Sequence, residues 1–260
     1  MTVYNRGIIL AGGLGTRLKP VTKIISKQLL PVFDMPMIYY SIATLLKLKI
    51  RKINLISDPI NILKYKSLLG DGSNFNIKIQ YTVQKKPGGI AQAITLSKKF
   101  IKNQNCVLIL GDNIFIGGNF DEVIKKASKD IISSIFVKKV EKPNKYGVLK
   151  FAKDKVSKII EKPKKFISKF AVTGLYFFSK DVSNLVKKIK PSKRGELEIT
   201  DLNNEFLQQS KMKIRFLDEK VSWFDAGTYD NLFKASQKIY NLSGVQRRNL
   251  SDLKYLSKKI

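Results

Sequence analysis

The sequence contains no histidine and only one cysteine, Cys106, among its 260 residues. A single cysteine cannot form an internal disulfide. Without histidine, the usual ligand sets of zinc and haem are missing, and so is the histidine base that activates a serine or cysteine nucleophile. Any catalysis must therefore use carboxylates, lysine and arginine, with or without a hard metal ion.

Long apolar runs are also missing. No stretch approaches the roughly eighteen apolar residues that a membrane-spanning helix needs. The apolar run at residues 8–11 is too short for the core of a signal peptide and leads into glycines. We therefore expect no membrane partner and a cytoplasmic location.

Acidic residues are scarce. The chain has 20 Asp and Glu against 49 Lys and Arg, which gives a formal net charge of +29. Such a charge is compatible with a nucleic-acid partner. However, the lysines are scattered over the whole chain and there is no arginine-rich arm, so we favour a lysine-biased solvated surface and expect no nucleic-acid partner. A positive field would still attract phosphorylated substrates.

Strand and helix patterns alternate along the first half of the chain. This alternation predicts an α/β fold with a doubly wound parallel sheet. In such sheets ligands bind beyond the carboxyl ends of the strands, which singles out the loops after Leu10 and Leu110. The predicted strands are 7–11, 53–57, 77–83 and 107–110, and the predicted helices are 37–48, 60–69 and 90–101.

In the second half of the chain the strand and helix patterns do not alternate regularly. The residues 241–260 have a weak apolar pattern that predicts either one helix or a loose tail. We therefore predict a single domain at 1–240 followed by a short C-terminal tail. The predicted strands are 134–140 and 171–179, with a strand pair at 147–151 and 156–160, and the predicted helices are 180–189, 199–209 and 229–240.

A glycine-rich loop follows the first predicted strand, in the segment Leu-Ala-Gly-Gly-Leu-Gly-Thr-Arg-Leu at 10–18. Glycines at this position allow a tight turn that brings backbone N–H groups close to an anion. The loop lacks the Gly-Lys-Ser/Thr end of a Walker A loop, and a leucine replaces the last glycine of a dinucleotide fingerprint. Arg17 and Lys27 follow, and each alone could be an ordinary surface residue. Together with the loop they predict a triphosphate-binding cradle.

Two aspartates occur in apolar surroundings. Asp112 ends a buried strand, and Asp225 lies in the segment Trp-Phe-Asp-Ala-Gly-Thr. A carboxylate in such a place needs a cation partner, although Asp112 could also simply form a turn. Two hard oxygen ligands together with substrate phosphates would suit magnesium. Sequence spacing cannot show whether the two aspartates meet.

Several segments in order resemble the sugar-phosphate nucleotidylyltransferases, and in particular the glucose-1-phosphate thymidylyltransferases. The resemblance runs from about Arg6 to Tyr240, and so many ordered motifs are very specific. The matching segments are 12–18, 26–32, 36–40, 69–73, 89–93, 110–113, 146–148, 161–163, 172–176 and 194–201.

This resemblance implies a Rossmann-like, mostly parallel sheet flanked by helices, of the nucleotide-diphospho-sugar transferase type, with an inserted sugar-binding region. It implies magnesium-dependent transfer of a thymidylyl group from dTTP to glucose 1-phosphate, for dTDP-sugar and surface polysaccharide biosynthesis. It also implies a homo-oligomer, either a dimer or a tetramer. Family members usually continue with further C-terminal helices, so we do not carry over the family's regulatory site.

The resemblance also implies roles for individual residues. Asp112 and Asp225 bind magnesium, and the catalytic residues are Arg17, Lys27 and Lys162. The implied contacts to the nucleotide phosphates, the base, the sugar and its phosphate are Leu10, Gly12, Gly13, Gly15, Thr16, Gln28, Gln84, Gly89, Asp112, Asn113, Gly147, Glu161, Val172, Tyr176 and Arg194.

Without the resemblance, some of these residues have plainer interpretations. Glu161 and Lys162 would form a surface ion pair, and Arg194 would belong to a turn before a capped helix. Trp223 is expected in the core rather than at a ligand.

Three alternative functions remain open at this point. The enzyme could use UTP or another sugar phosphate. The chain could be a catalytically silent regulatory subunit, although the intact set of Arg17, Lys27, Asp112, Lys162 and Asp225 argues against that. Finally, the +29 charge could reflect nucleic-acid binding, which a salt-dependent DNA shift assay would test.

Overall fold

The computed structural model describes residues 2–259, in which strands and helices alternate. The strands are β1 (Arg6–Leu10), β2 (Pro31–Val32), β3 (Met35–Pro36), β4 (Lys52–Ser57), β5 (Lys78–Val83), β6 (Cys106–Leu110), β7 (Asn113–Ile116), β8 (Ser133–Lys139), β9 (Gly147–Ala152), β10 (Lys155–Glu161), β11 (Phe170–Phe178), β12 (Met212–Phe216) and β13 (Ser222–Asp225). The helices are α1 (Met37–Lys47), α2 (Asn61–Leu69), α3 (Gln92–Leu96), α4 (Lys98–Ile101), α5 (Phe120–Ala127), α6 (Val182–Leu185), α7 (Ile199–Gln208), α8 (Tyr229–Tyr240), α9 (Gly244–Ser251) and α10 (Leu253–Lys259).

The central sheet has nine strands within this part of the chain. Its main order is β10-β9-β11-β6-β1-β4-β5; in addition, β8 pairs with β11, and β12 pairs with β8. The strands of the first half are parallel: β1 pairs with β4 and β6, and β4 pairs with β5. This arrangement confirms the predicted α/β class with flanking helices. The second half adds antiparallel pairs, because β11 runs antiparallel to β6, β8 and β9.

Both faces of β1, β4 and β6 are buried, which explains their mostly apolar sequences, whereas β5 at the end of the strand order is partly exposed and alternates apolar with polar residues. Successive residues of a strand point to opposite faces. Accordingly, Ile9 of β1 packs into the core cluster that contains α1, α2 and α5. Its neighbour Ile8 packs into the cluster on the other face, with α3 and α7.

Two predicted helices are shorter than expected. The predicted helix 90–101 is divided into α3 and α4 at Ser97. Ser97 is buried, and its hydroxyl accepts a hydrogen bond from the amide of Asn54 at 2.9 Å, so contact with β4 interrupts the helical run. The predicted helix 180–189 is only the single turn Val182–Leu185.

The last residues also differ from the prediction. They form two packed helices, α9 and α10, rather than one helix or a loose tail. Ser243 and Gln246 make a capping box that starts α9, a signal that the sequence carries. Leu253 and Leu256 of α10 are buried in the core cluster beside α1. The division into a domain at 1–240 and a tail remains a prediction.

Sequence patterns did not predict β7, β12, β13 or α5. The pair formed by β7 and β13 matters most for the site, because it is antiparallel and aligns Asn113 with Asp225 and Phe115 with Trp223. Within residues 2–259, no helix is both long enough and apolar enough to cross a membrane.

Candidate functional site

Two cavities meet beyond the carboxyl ends of β1 and β6. The first, called here the loop cavity, has a volume of about 250 Å³ and is bounded by the glycine-rich loop and the segment around Gly89. The second, the hairpin cavity, has a volume of about 390 Å³ and is bounded by β9, β11 and β13. Asp112, Glu161 and Lys162 line both cavities. The site therefore has room for two ligands that would meet at Asp112.

The β7–β13 pair brings the two distant aspartates together. Asp112 immediately precedes β7, and Asp225 is the last residue of β13. The backbone N–H of Ala226 donates to the carbonyl oxygen of Asp112 at 2.9 Å, which closes the ladder at this end. Both carboxyl groups line the hairpin cavity, and Asp112 also lines the loop cavity.

Each aspartate contacts a cation from the glycine-rich loop region. The ammonium of Lys27 forms a salt bridge with Oδ2 of Asp112, and Nη2 of Arg17 lies 3.8 Å from Oδ2 of Asp225. Lys27 and Asp112 are largely buried, whereas about half of the Arg17 side chain is exposed. The two predicted cations are therefore held by the two carboxylates, and their role in binding a triphosphate stays a prediction.

The charge states of this cluster follow from burial and pairing. Burial opposes the charge on Asp112 and on Lys27, but their salt bridge outweighs it, so the pKa of Asp112 is lowered and the pKa of Lys27 is raised. For Asp225, burial and then the negative charge of Asp112 raise the pKa above its ordinary value. The cluster therefore contains a carboxylate that its surroundings do not fully neutralise.

Gly227 allows the charged atoms to approach one another. A Cβ atom at this position would lie 2.8 Å from Nη2 of Arg17, 3.1 Å from Oδ1 of Asp225 and 3.5 Å from Nζ of Lys27. Any larger residue would occupy the space that these three groups share.

The base of the loop cavity is held by buried amides. Gln28 is almost fully buried and donates from Nε2 to the carbonyl oxygen of Gly12 at 3.3 Å. Gln84 donates to Oε1 of Gln92 at 2.6 Å. A Cβ atom on Gly12 would lie 2.7 Å from Oε1 of Gln84, so the glycine permits close packing here.

Gly89 joins two chain segments at the mouth of the loop cavity. Its φ of +91° favours glycine, and a Cβ atom would collide with the backbone of Leu197. The N–H of Leu197 donates to the carbonyl oxygen of Gly88 at 2.8 Å, and the N–H of Ala91 donates to that of Leu197 at 3.2 Å. The segment 192–198 is thereby fixed over the cavity.

Arg194 is surrounded by carboxylates. Its Nη2 lies 2.9 Å from Oε1 of Glu198, 3.3 Å from Glu196 and 4.0 Å from Glu161. Glu161 also accepts a hydrogen bond from the hydroxyl of Thr200 and lies 3.6 Å from the ammonium of Lys162. Glu161 and Lys162 are thus an ion pair, but one that lines the cavities.

The charges around the two cavities balance, although the chain as a whole carries +29. Five basic and five acidic side chains line them, so their formal charges cancel. They are Arg17, Lys27, Lys145, Lys162 and Arg194, and Asp112, Glu161, Glu196, Glu198 and Asp225.

The structure brings together all but two of the predicted site residues. Gly15 and Thr16 do not line either cavity. Gly15 has a φ of +58° and its carbonyl oxygen accepts a hydrogen bond from the Thr22 hydroxyl at 2.7 Å, so it turns the loop. Thr16 begins the short 3-10 turn that carries Arg17. Those that line a cavity are Leu10, Gly12, Gly13, Arg17, Lys27, Gln28, Gln84, Gly89, Asp112, Asn113, Gly147, Glu161, Lys162, Val172, Tyr176, Arg194 and Asp225.

Several lining residues were not predicted. Tyr146 and Thr200 line the hairpin cavity and belong to segments that carried the family resemblance. Trp223, expected in the core, packs against the main core cluster but also lines this cavity. Its indole N–H donates to Oδ1 of Asn113 at 2.7 Å, a contact that no sequence signal indicates.

Comparison with known proteins agrees with this geometry. The model of the nucleotidyl transferase family matches residues 6–241. Over 254 residues the chain is 42% identical to the glucose-1-phosphate thymidylyltransferase of Neisseria meningitidis, covering 97% of this chain and 88% of that protein. It is 44% identical over 237 residues to the enzyme of the same name from Xanthomonas campestris, covering 90% of this chain and 80% of that protein.

Solved structures are also similar. A Bacillus anthracis protein provisionally assigned as a glucose-1-phosphate thymidylyltransferase, in complex with sucrose, has a TM-score of 0.84 and 38% identity, covering 94% of this chain and 98% of that one. A UDP-glucose pyrophosphorylase complexed with UDP-glucose has a TM-score of 0.80 at 22% identity, covering 91% and 98%, which reflects the fold alone. The predicted resemblance is confirmed: the chain belongs to the nucleotidyl transferase family, among the glucose-1-phosphate thymidylyltransferases.

Proposed function

We propose that this protein transfers a thymidylyl group from dTTP to glucose 1-phosphate, forming dTDP-glucose and pyrophosphate. Such a product would supply dTDP-deoxysugars such as dTDP-rhamnose, and hence surface polysaccharide. The observation that carries the proposal is the pairing of Asp112 with Lys27 and of Asp225 with Arg17, in a cluster whose members line the two cavities.

The two carboxylates fit a magnesium ion. Magnesium prefers hard oxygen ligands and binds through one or two protein carboxylates plus substrate phosphates and water. Asp112 and Asp225 provide such a pair, and the raised pKa of Asp225, caused by burial and by Asp112, indicates negative charge that a cation would relieve. When bound there, magnesium would supply charge neutralisation for the phosphates.

Direct attack needs no covalent enzyme intermediate. A phosphate oxygen of glucose 1-phosphate forms a bond to the α-phosphorus of dTTP, while the bond from that phosphorus to the bridging oxygen of pyrophosphate breaks. The nucleophile is already an anionic oxygen, so no general base is required. The absence of a histidine base from the sequence is compatible with this reaction.

The main barrier is repulsion between two anionic substrates. Two unit charges about 4 Å apart repel by roughly 4 kcal/mol at an effective dielectric constant near 20. We assign Lys27 and Arg17 to the triphosphate and departing pyrophosphate, and Lys162 to the sugar phosphate. These charges would hold the reacting atoms in line and offset their repulsion.

The remaining lining residues select the substrates. Gln84 and Gly89, which line the loop cavity, would contact the thymine base of dTTP. Gly12 and Gly13 would contact the phosphates of dTTP. Gly147, Val172 and Tyr176, which line the hairpin cavity, would surround the sugar. Gly15 and Thr16 would act by shaping the loop, since neither lines a cavity.

Binding must also rearrange ion pairs. Lys27 and Arg17 contact the same carboxylates that would bind the metal. Because the charges lining the cavities cancel, an uncomplexed triphosphate gains little net attraction here. Lys27 and Arg17 would therefore have to release these carboxylates in order to contact the phosphates, and a divalent cation, when bound, would supply the compensating positive charge.

We propose the cytoplasm as the location, since nucleoside triphosphates are available there. A homo-oligomer, dimeric or tetrameric, remains our prediction from the family resemblance.

The test is a pyrophosphate-release assay that crosses five nucleotides with three sugar phosphates: dTTP, UTP, CTP, GTP and ATP with glucose, galactose and mannose 1-phosphates. We expect the highest kcat/KM for dTTP with glucose 1-phosphate, loss of activity with EDTA and recovery with magnesium. A higher kcat/KM for UTP than for dTTP would show that UTP, and not dTTP, is the preferred nucleotide. No pyrophosphate from any pair would reject the proposed function.

A matched pair of lysine variants sharpens the test. Lys27 and Lys47 have equally shielded side chains, each 14% exposed and each in a salt bridge, to Asp112 and to Asp121. Lys27→Met should reduce turnover by about a hundredfold or more, as expected for loss of a preorganised charge. Lys47→Met should leave turnover near that of the wild type.

A further inference from the structure

Asn113, which lines the hairpin cavity, is hydrogen-bonded to Gly174, Trp223 and Asp112. It follows Asp112 directly, begins β7 and is only 3% exposed. Its Oδ1 accepts from the backbone N–H of Gly174 at 2.8 Å and from the indole N–H of Trp223 at 2.7 Å. Its Nδ2 donates to Oδ1 of Asp112 at 3.1 Å.

The orientation of the Asn113 amide is determined by these partners. The groups facing Oδ1 are both N–H donors, and the group facing Nδ2 is a carboxylate, which accepts. A flipped amide would place donors against donors and oxygen against oxygen. Asn113 therefore has one favourable orientation, and in it the amide nitrogen faces Asp112.

The two oxygens of Asp112 consequently have different partners. Oδ1 is held by Asn113, and Oδ2 faces Lys27. The Asn113 bond limits rotation of the carboxylate and keeps Oδ2 directed at the charged cluster. The same ladder positions Asp225, since Trp223 lies two residues before it on β13 and pairs with Phe115 of β7.

Trp223 therefore lines the hairpin cavity and also holds Asn113. Its ring lies 5.0 Å from that of Tyr146, and its only polar atom is directed at Asn113. Groups that hydrogen-bond to a metal-binding side chain orient that side chain, and the loss of such a group typically lowers metal affinity by about 10- to 100-fold.

We propose that Trp223 and Asn113 are positioning residues for the metal carboxylate: the indole N–H holds the Asn113 amide, which in turn directs Oδ2 of Asp112 towards the divalent cation. This inference rests on the proposed function, because it assumes that Asp112 binds a metal. It assigns Asn113 a role that acts through Asp112, distinct from the substrate contact implied by the family resemblance.

The experiment measures Mn²⁺ binding to the protein in the presence of dTDP-glucose, from the loss of the free-ion signal in electron paramagnetic resonance beyond the loss that the nucleotide sugar alone causes. Trp223→Phe keeps an aromatic ring and removes one donor, and Asn113→Ala removes the whole link. We expect Mn²⁺ affinity to fall by about tenfold in Trp223→Phe and by at least as much in Asn113→Ala. If Asn113→Ala does not fold, the Mn²⁺ affinity of Trp223→Phe alone tests the inference.

Tyr40→Phe is the matched control. The Tyr40 hydroxyl is buried and donates to the carbonyl oxygen of Val32 at 2.8 Å, so its hydrogen bond involves neither aspartate. Its loss should lower thermal stability but leave Mn²⁺ affinity unchanged, which separates a positioning role from a merely structural one.

Two results would overturn the inference. One is Mn²⁺ affinity within twofold of the wild type in folded Trp223→Phe, and the other is a wild type that binds no Mn²⁺. Failure of the proposed function is distinguished by the pyrophosphate-release assay: a wild type that forms dTDP-glucose and binds Mn²⁺ retains its function even if Trp223→Phe binds equally well.

Discussion

Replacing Gly227 with alanine should separate activity from stability. A Cβ atom here would lie 2.8 Å from Nη2 of Arg17 and 3.1 Å from Oδ1 of Asp225, both closer than side chains normally pack. The Arg17 guanidinium is the end of a flexible, half-exposed side chain, so it should move away rather than strain the backbone. Its contact with Asp225 would then be lost.

The expected effects on rate and stability have opposite signs. A displacement of about 1 Å in a positioned catalytic group can cost about a hundredfold in rate, so we expect kcat to fall by roughly that factor. The φ of Gly227 lies outside the left-handed region, so alanine fits the backbone. A glycine-to-alanine change at such a site stabilises by about 0.4–1 kcal/mol through the unfolded state. Stability should therefore be unchanged or slightly higher.

Gly244→Ala provides the control. Gly244 is exposed at the start of α9, its φ is also outside the left-handed region, and no atom lies within 4 Å of its added Cβ. It should gain stability without losing activity. The assays are thermal unfolding and pyrophosphate release at saturating substrates. If Gly227→Ala turns over within about threefold of wild type, the close arrangement of Arg17 and Asp225 is not needed for catalysis.

Further variants test other parts of the account. Asp112→Asn should abolish magnesium-dependent product formation, measured by pyrophosphate release, and undiminished activity would remove Asp112 from the metal site. Arg17→Ala should lower kcat by on the order of a hundredfold or more, and a value within twofold of wild type would contradict its role. Asp58 accepts hydrogen bonds from the backbone N–H groups of Ile60 and Asn61 before α2. Burial opposes its charge, but bonds from Asn61 and Ile60 outweigh this and lower its pKa. Because the pKa of Asp58 is lower in the folded than in the unfolded protein, its ionised carboxylate stabilises the fold at pH values above the unfolded-state pKa, and this stabilisation is lost as the pH falls. Asp58→Ala should therefore lower the free energy of unfolding by about 1 kcal/mol at pH 7, and by less near pH 3. An equal loss at both pH values, in urea unfolding, would refute this assignment.

Local sequence patterns were sufficient to predict most of the strands and helices of the fold. The strands β1, β4 and β6 are buried on both faces, so their mostly apolar runs are easily recognised, and β5 is recognised from its alternation of apolar and polar residues. The helices α1, α2, α7 and α8 follow apolar spacing closely. Where prediction was wrong, contacts from elsewhere decided the result, as when Asn54 of β4 meets Ser97 and divides the predicted helix.

The amino-acid sequence by itself determined which chemical groups are available: a glycine-rich loop after the first strand, cations at Arg17 and Lys27, and aspartates at 112 and 225. Only the tertiary structure decided that the aspartates meet, because pairing of β7 with β13 depends on hydrogen bonds between segments far apart in the chain. It also decided that both cations contact those carboxylates and that Trp223 reaches Asn113. Such contacts depend on three-dimensional distance, which spacing along the chain does not specify.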